Sequence, residues 1–130
     1  MKDFNPGKFI FNMKLDARFL DELFDGDTVY TQHVFEDFLR DLPDYWKNTA
    51  AAWQNRDLTA LRASVHKSKT LFGYVGFTDI QRICQEFENS CADSTIEALG
   101  PRYQVLLEKK EEARAIIEAE YTRLKVFNGL

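Results

Sequence analysis

The sequence predicts an all-α chain, folded as an antiparallel up-and-down four-helix bundle with a short additional N-terminal helix. Three observations predict it. Apolar residues recur at steps of three and four along most of the chain, Gly, Asp and Pro interrupt that rhythm at a few short connections, and very little of the chain alternates as a strand does. Short connections between long helices imply antiparallel neighbours. At 130 residues the chain has the size of a single domain, with residues 1–14 as an N-terminal arm, and its eleven Phe supply a packed interior.

Up to Lys14, with Pro6, Gly7 and the alternation Phe9, Phe11, Met13, the chain reads as an arm laid on the body. Leu15, Phe19, Leu20, Leu23 and Phe24 give a short amphipathic helix that Gly26 stops, and Asp27 caps its successor. The second helix, roughly Thr28 to Asn55, carries the seam Phe35, Phe38, Leu42, Trp46, Thr49 and Trp53. Pro43 removes the bond to the Leu39 carbonyl, which predicts a bend within one long helix. Asp57 caps a third helix that runs to about Val75 and ends at Gly76. Thr78 is read as the cap of the fourth, whose inward residues are Ile80, Cys84, Phe87 and Cys91. Asp93, Ser94, Gly100 and Pro101 read as a polar connection to a last helix from about Arg102 to Phe127, with Tyr103, Leu106, Ala113, Ile117, Leu124 and Phe127 as its seam.

Composition excludes several classes of function. A net charge of −4 is the wrong sign for covering phosphates along a nucleic acid. Cys84 and Cys91 lie on one helix, separated by roughly 10 Å at about 1.5 Å per residue, too far to pair with each other. No apolar run approaches the roughly 18 residues of a membrane span, and Asp3, Asn5, Pro6 and Lys8 do not make a signal-like start. The expectation is a soluble, cytoplasmic monomer without nucleic-acid or membrane partners.

The third helix carries the candidate chemistry. On a wheel of about 100° per residue, Leu58, Leu61, Val65, Ser68, Leu71, Phe72 and Val75 form a broad arc away from His66, whereas Arg62, Lys69, Thr70 and Gly73 lie within about 60° of it. His66 therefore points out of the core. Lys69, one turn on, places an ammonium beside the ring; Arg62 adds a second cation one turn before; Gly73 reads as bare surface where another backbone can approach. A neutral imidazole nitrogen is a competent nucleophile toward phosphorus, and a neighbouring cation offsets charge on phosphoryl oxygens. The same spacing also occurs on ordinary solvated helix faces.

The segment Leu61 to Glu88, LRASVHKSKTLFGYVGFTDIQRICQEFE, resembles histidine-containing phosphotransfer (HPt) domains. Their pattern has His, two residues, Lys, a Gly, then a Gly ten after the His and an aliphatic residue four further on. Here those positions hold His66, Lys69, Thr70, Gly76 and Ile80, and the order of helices extends the resemblance over roughly Leu15 to Leu124. It implies a phosphorelay intermediate whose His66 accepts and donates a phosphoryl group, with Lys69 stabilising it and Arg62, Thr70, Gly73 and Gly76 on the docking face. Implied partners are response-regulator receiver domains and a sensor or hybrid histidine kinase. The chain itself would bind no cofactor, with Mg2+ on the receiver, and would be a carrier without ATP-binding or kinase machinery, since it has no glycine-rich nucleotide loop. Thr70 stands where the family usually has glycine, and Ser68 replaces a usual aliphatic residue. An adaptor that docks receivers without accepting phosphate is the alternative, and a helical enzyme with another site is a third reading.

Other candidates are weaker. His33 with Glu36 is one acid–histidine pair, where a di-iron bundle needs two and further carboxylates. Cys84 reads as core, and Glu108 to Glu112 as a solvated face. Gln81, Gln85 and Glu88 share a face beside the inward stripe of the fourth helix and read as solvated, although in the family a Gln or Glu near Glu88 sometimes meets the other ring nitrogen. Leu20, Phe24 and Val29 read as core or as an edge of the docking surface.

Overall fold

A computed structural model describes residues 7–129, and among them there are five helices and no strand. They are α1 (Ala17–Phe24), α2 (Thr28–Gln54), α3 (Leu58–Tyr74), α4 (Thr78–Cys91) and α5 (Ile96–Phe127). Helices α2 to α5 close a four-membered ring, each packing on the next and α5 returning to α2, while α1 rests chiefly on α2. The expected four-helix bundle with a short extra helix is what the chain forms. Met1 to Pro6 of the arm lie outside the described residues.

Side-chain caps start four of the helices. Asp16, Asp27, Asp57 and Thr95 accept from the backbone N–H groups of Phe19, Tyr30, Ala60 and Ala98. The expected cap at Thr78 is not made: Phe77 is the N-cap residue of α4 and offers no side-chain bond. The preceding turn explains it. Gly76, at φ +91°, donates to the Gly73 carbonyl, and Phe77 donates to the Phe72 carbonyl, so a tight three-residue connection drives the Phe77 ring into the core. Thr78 lies one residue inside the helix, with its hydroxyl on Asp16.

Helix α5 corrects a second boundary. It begins at Ile96, with Gly100 and Pro101 inside it. Ile96 and Leu99 are buried, and burying that apolar turn outweighs one backbone bond lost to proline so close to the helix start. Pro43 likewise leaves α2 unbroken, on its exposed side. The apolar stripe of α1 divides: Leu20 and Phe24 are buried, but Phe19 and Leu23 remain exposed.

The seams read from the sequence meet in one core. Phe35, Phe38, Leu61, Phe72, Phe87, Ile117 and Leu124 are all within 1% of complete burial. Tyr103 stacks on Trp53 with ring centroids 4.1 Å apart, tying the end of α2 to α5.

Candidate functional site

The tight turn at 75–77 makes α3 and α4 a hairpin, and the geometry of that hairpin sets the site. His66 lies eight residues before the end of α3, about 12 Å along the axis, and Glu88 lies ten residues after the start of α4, about 15 Å along its own. The two therefore sit nearly level. His66 Nδ1 is 2.8 Å from Glu88 Oε1. The imidazole remains 63% exposed, whereas the Glu88 side chain is only 8% exposed.

The other carboxylate oxygen of Glu88 faces Lys69, whose ammonium lies 2.9 Å from Oε2. That ammonium donates to Gln85 Oε1 at 2.6 Å, and Gln85 in turn donates to Asn89 at 3.0 Å. One polar chain thus runs from Asn89 through Gln85, Lys69 and Glu88 to His66. Because a carboxylate accepts and cannot donate, the bond to Glu88 makes Nδ1 the protonated ring nitrogen and leaves the Nε2 lone pair unused. Beneath the chain, burial and then the Glu88 carboxylate push the Cys84 thiol up to about 12, so it stays protonated and inert near neutral pH.

Four expectations change here. Lys69 is not a freely exposed cation: its side chain is 17% exposed and engaged with the Glu88 and Gln85 side chains of α4. Gly73 is not bare surface. It is buried beneath Gln81, whose amide nitrogen lies 2.7 Å from where a Cβ would stand, so its missing side chain makes room for the Gln81 amide of α4. Gly76 is buried too, against Leu20, and serves the turn. Glu88, read from sequence as solvated, is instead the buried acid that holds the ring.

The remaining residues lie as the wheel placed them. Arg62 and Thr70 are exposed on α3, and Ser68 is buried, its hydroxyl without a hydrogen-bond partner among the described residues. His33 is exposed on α2, and among the described residues no three His, Cys, Asp or Glu side chains converge on a possible ion. Leu20 and Phe24 are core, while Val29 is exposed. Leu23, Tyr30 and Tyr74 are exposed as well, and they border a groove of about 380 Å³ between α1, α2 and α3 with Leu71 and Val34 in its wall.

The Hpt domain family model matches residues 33–125, from early α2 nearly to the end of α5. The chain belongs to the Hpt domain family. Membership places this Hpt domain in phosphotransfer within two-component signalling. Its fold is similar to the crystal structure of the HPT domain from a sensor hybrid histidine kinase of Shewanella, with a TM-score of 0.74 at 19% identity over 85% of this chain and 95% of that one. No curated protein matches the Hpt chain. No helix of the described Hpt domain is long and apolar enough to cross a membrane.

Proposed function

We propose that the chain is a phosphorelay intermediate in which His66 exchanges a phosphoryl group with the aspartate of a response-regulator receiver domain, downstream of a sensor or hybrid histidine kinase. The observation that carries this is the bond from an exposed imidazole to a buried carboxylate, which holds the ring with Nε2 outward. In the transfer step the Nε2 lone pair attacks phosphorus in line. An N–P bond forms, the acyl O–P bond breaks, and the electron pair of that bond returns to the receiver's carboxylate. The ring becomes a phosphoimidazolium that keeps its proton on Nδ1, and Glu88 offsets the new positive charge.

Lys69 does two things in this scheme. It supplies the cation that lets Glu88 stay buried, and it puts positive charge beside the phosphoryl oxygens. Magnesium and the remaining catalytic groups come with the receiver, and the chain acts as a carrier without a cofactor of its own. The receiver lands on the α3 face of His66, Thr70 and Tyr74, and the exposed apolar residues Leu23, Val29 and Tyr30 extend that platform toward the groove. The cytoplasm suits such partners and keeps Cys84 and Cys91 as free thiols.

The test is incubation with a panel of radiolabelled phosphorylated receivers. Wild type takes up label in an acid-labile, base-stable linkage, and His66→Gln takes up none. Tight receiver binding without label makes the chain an adaptor, and label on His33 refutes the assigned residue.

A further inference from the structure

The N-terminal arm ends in a fastening that the transfer chemistry does not use. Glu120 on α5 is buried to 2% exposure, and its Oε2 accepts the backbone N–H of Asn12 at 3.0 Å. Arg123, one turn on, pairs with the other oxygen of Glu120 and donates at 2.9 Å to the Ile10 carbonyl. The same guanidinium lies 4.6 Å from the centre of the Phe9 ring, which in turn meets Phe127 edge-on at 5.5 Å. Lys14 adds a pair with Glu112. Residues 9–14 are thereby clasped along α5.

Beyond the clasp lies α1. Eight residues cannot hold a helix by themselves in water, and only Leu20 and Phe24 of this one are buried. Its start is tied down instead: Asp16 donates its N–H to the Gly76 carbonyl at 2.8 Å and receives the Thr78 hydroxyl, and Leu20 covers Gly76. Only Leu15 separates Asp16 from the clasped residues. Phe19 and Leu23, on the outer side of α1, stand exposed, and Leu23 borders the groove beside Tyr74 of α3. Both the arm and α1 precede the span matched by the family model.

We infer that Glu120 and Arg123 are positioning residues for receiver docking: they pin the arm, and the arm fixes the α1 wall of the platform beside His66. This rests on the phosphorelay role proposed above. Neither residue touches the phosphoryl group, so the effect falls on docking and not on the reactivity of the imidazole.

The experiment uses the whole chain, with Glu120→Ala/Arg123→Ala removing both charges together so that no buried acid is left alone. Phe9→Ala attacks the arm side without altering α5. Three readouts are needed: amide hydrogen exchange over 17–24, the concentration of a phosphorylated receiver giving half-maximal transfer, and labelling of His66 by phosphoramidate, a small donor that needs no docking. Both variants should speed exchange in α1, raise the half-saturating receiver concentration about tenfold and leave phosphoramidate labelling unchanged. Unchanged half-saturation in variants with loosened α1, or a parallel loss of phosphoramidate labelling, overturns the inference. If wild type accepts phosphate from phosphoramidate but from no receiver, the relay role itself falls.

Discussion

Glu88 and Glu120 are the two buried carboxylates among the described residues, and each faces a cation and one further hydrogen-bonding group. They differ in where their partners lead. Glu120 is answered by its own helix and by a backbone N–H, and both partners lead back to the chain's own arm, Arg123 through the Ile10 carbonyl and the N–H through Asn12. Glu88 is answered from the opposite helix, and one of its partners is an imidazole whose second nitrogen faces solvent. A buried acid whose partners lead back to the chain's own backbone fastens structure. One whose hydrogen bond continues to an exposed ring tunes chemistry.

That contrast can be broken at several points. The largest effect is expected from His66→Gln, which abolishes phosphate uptake and leaves the melting temperature within a degree or two, because the ring is exposed and Glu88 retains Lys69; a labelling assay beside thermal unfolding checks both halves. Lys69→Ala comes next. It strands Glu88 without its cation, so chemical denaturation should register a loss of about 3 kcal/mol together with slowed transfer. Slowed transfer at full stability would mean that the ammonium serves the phosphoryl group alone. Glu88→Gln keeps an acceptor for Nδ1 and removes the charge, so transfer should slow about tenfold while the receiver's half-saturating concentration holds steady, the reverse of the pattern expected at Glu120. The smallest effect is Thr70→Gly, which costs about 1 kcal/mol in helix stability and quickens transfer severalfold by clearing the exposed turn after His66; stopped-flow mixing with a phosphorylated receiver measures it.

The helices are legible in the sequence because their seams are periodic. Ile80, Cys84, Phe87 and Cys91 all fall on the inward stripe of the fourth helix, and each is buried. The wheel also turns His66 outward correctly. It fails at Lys69, Gly73 and Glu88 for one shared reason: a wheel describes a helix alone, and these three lie where α4 closes on α3. Which side chains of α4 cover α3 is set by the tight turn at Gly76 and by the room Gly73 leaves for Gln81, not by any polarity at the position itself. Pairs like Lys69 with Glu88 join residues on two helices, and a periodic pattern carries no cross-helix register. The Glu120–Arg123 spacing is visible as an i,i+3 pair, but the arm that uses it has no period to reveal its path.

The α3–α4 hairpin also bears on how the molecule comes apart. The bond between His66 and Glu88 spans 22 residues of chain, whereas that between Asn12 and Glu120 spans 108. Loop closure over the longer span costs roughly 1.4 kcal/mol more entropy, so the His66–Glu88 pair rests on nearly local contacts and the arm on distant ones. Opening of the clasp at residues 9–14 would leave the α3–α4 hairpin and its His66–Glu88 bond in place, a graded unfolding in which the α1 side loosens first.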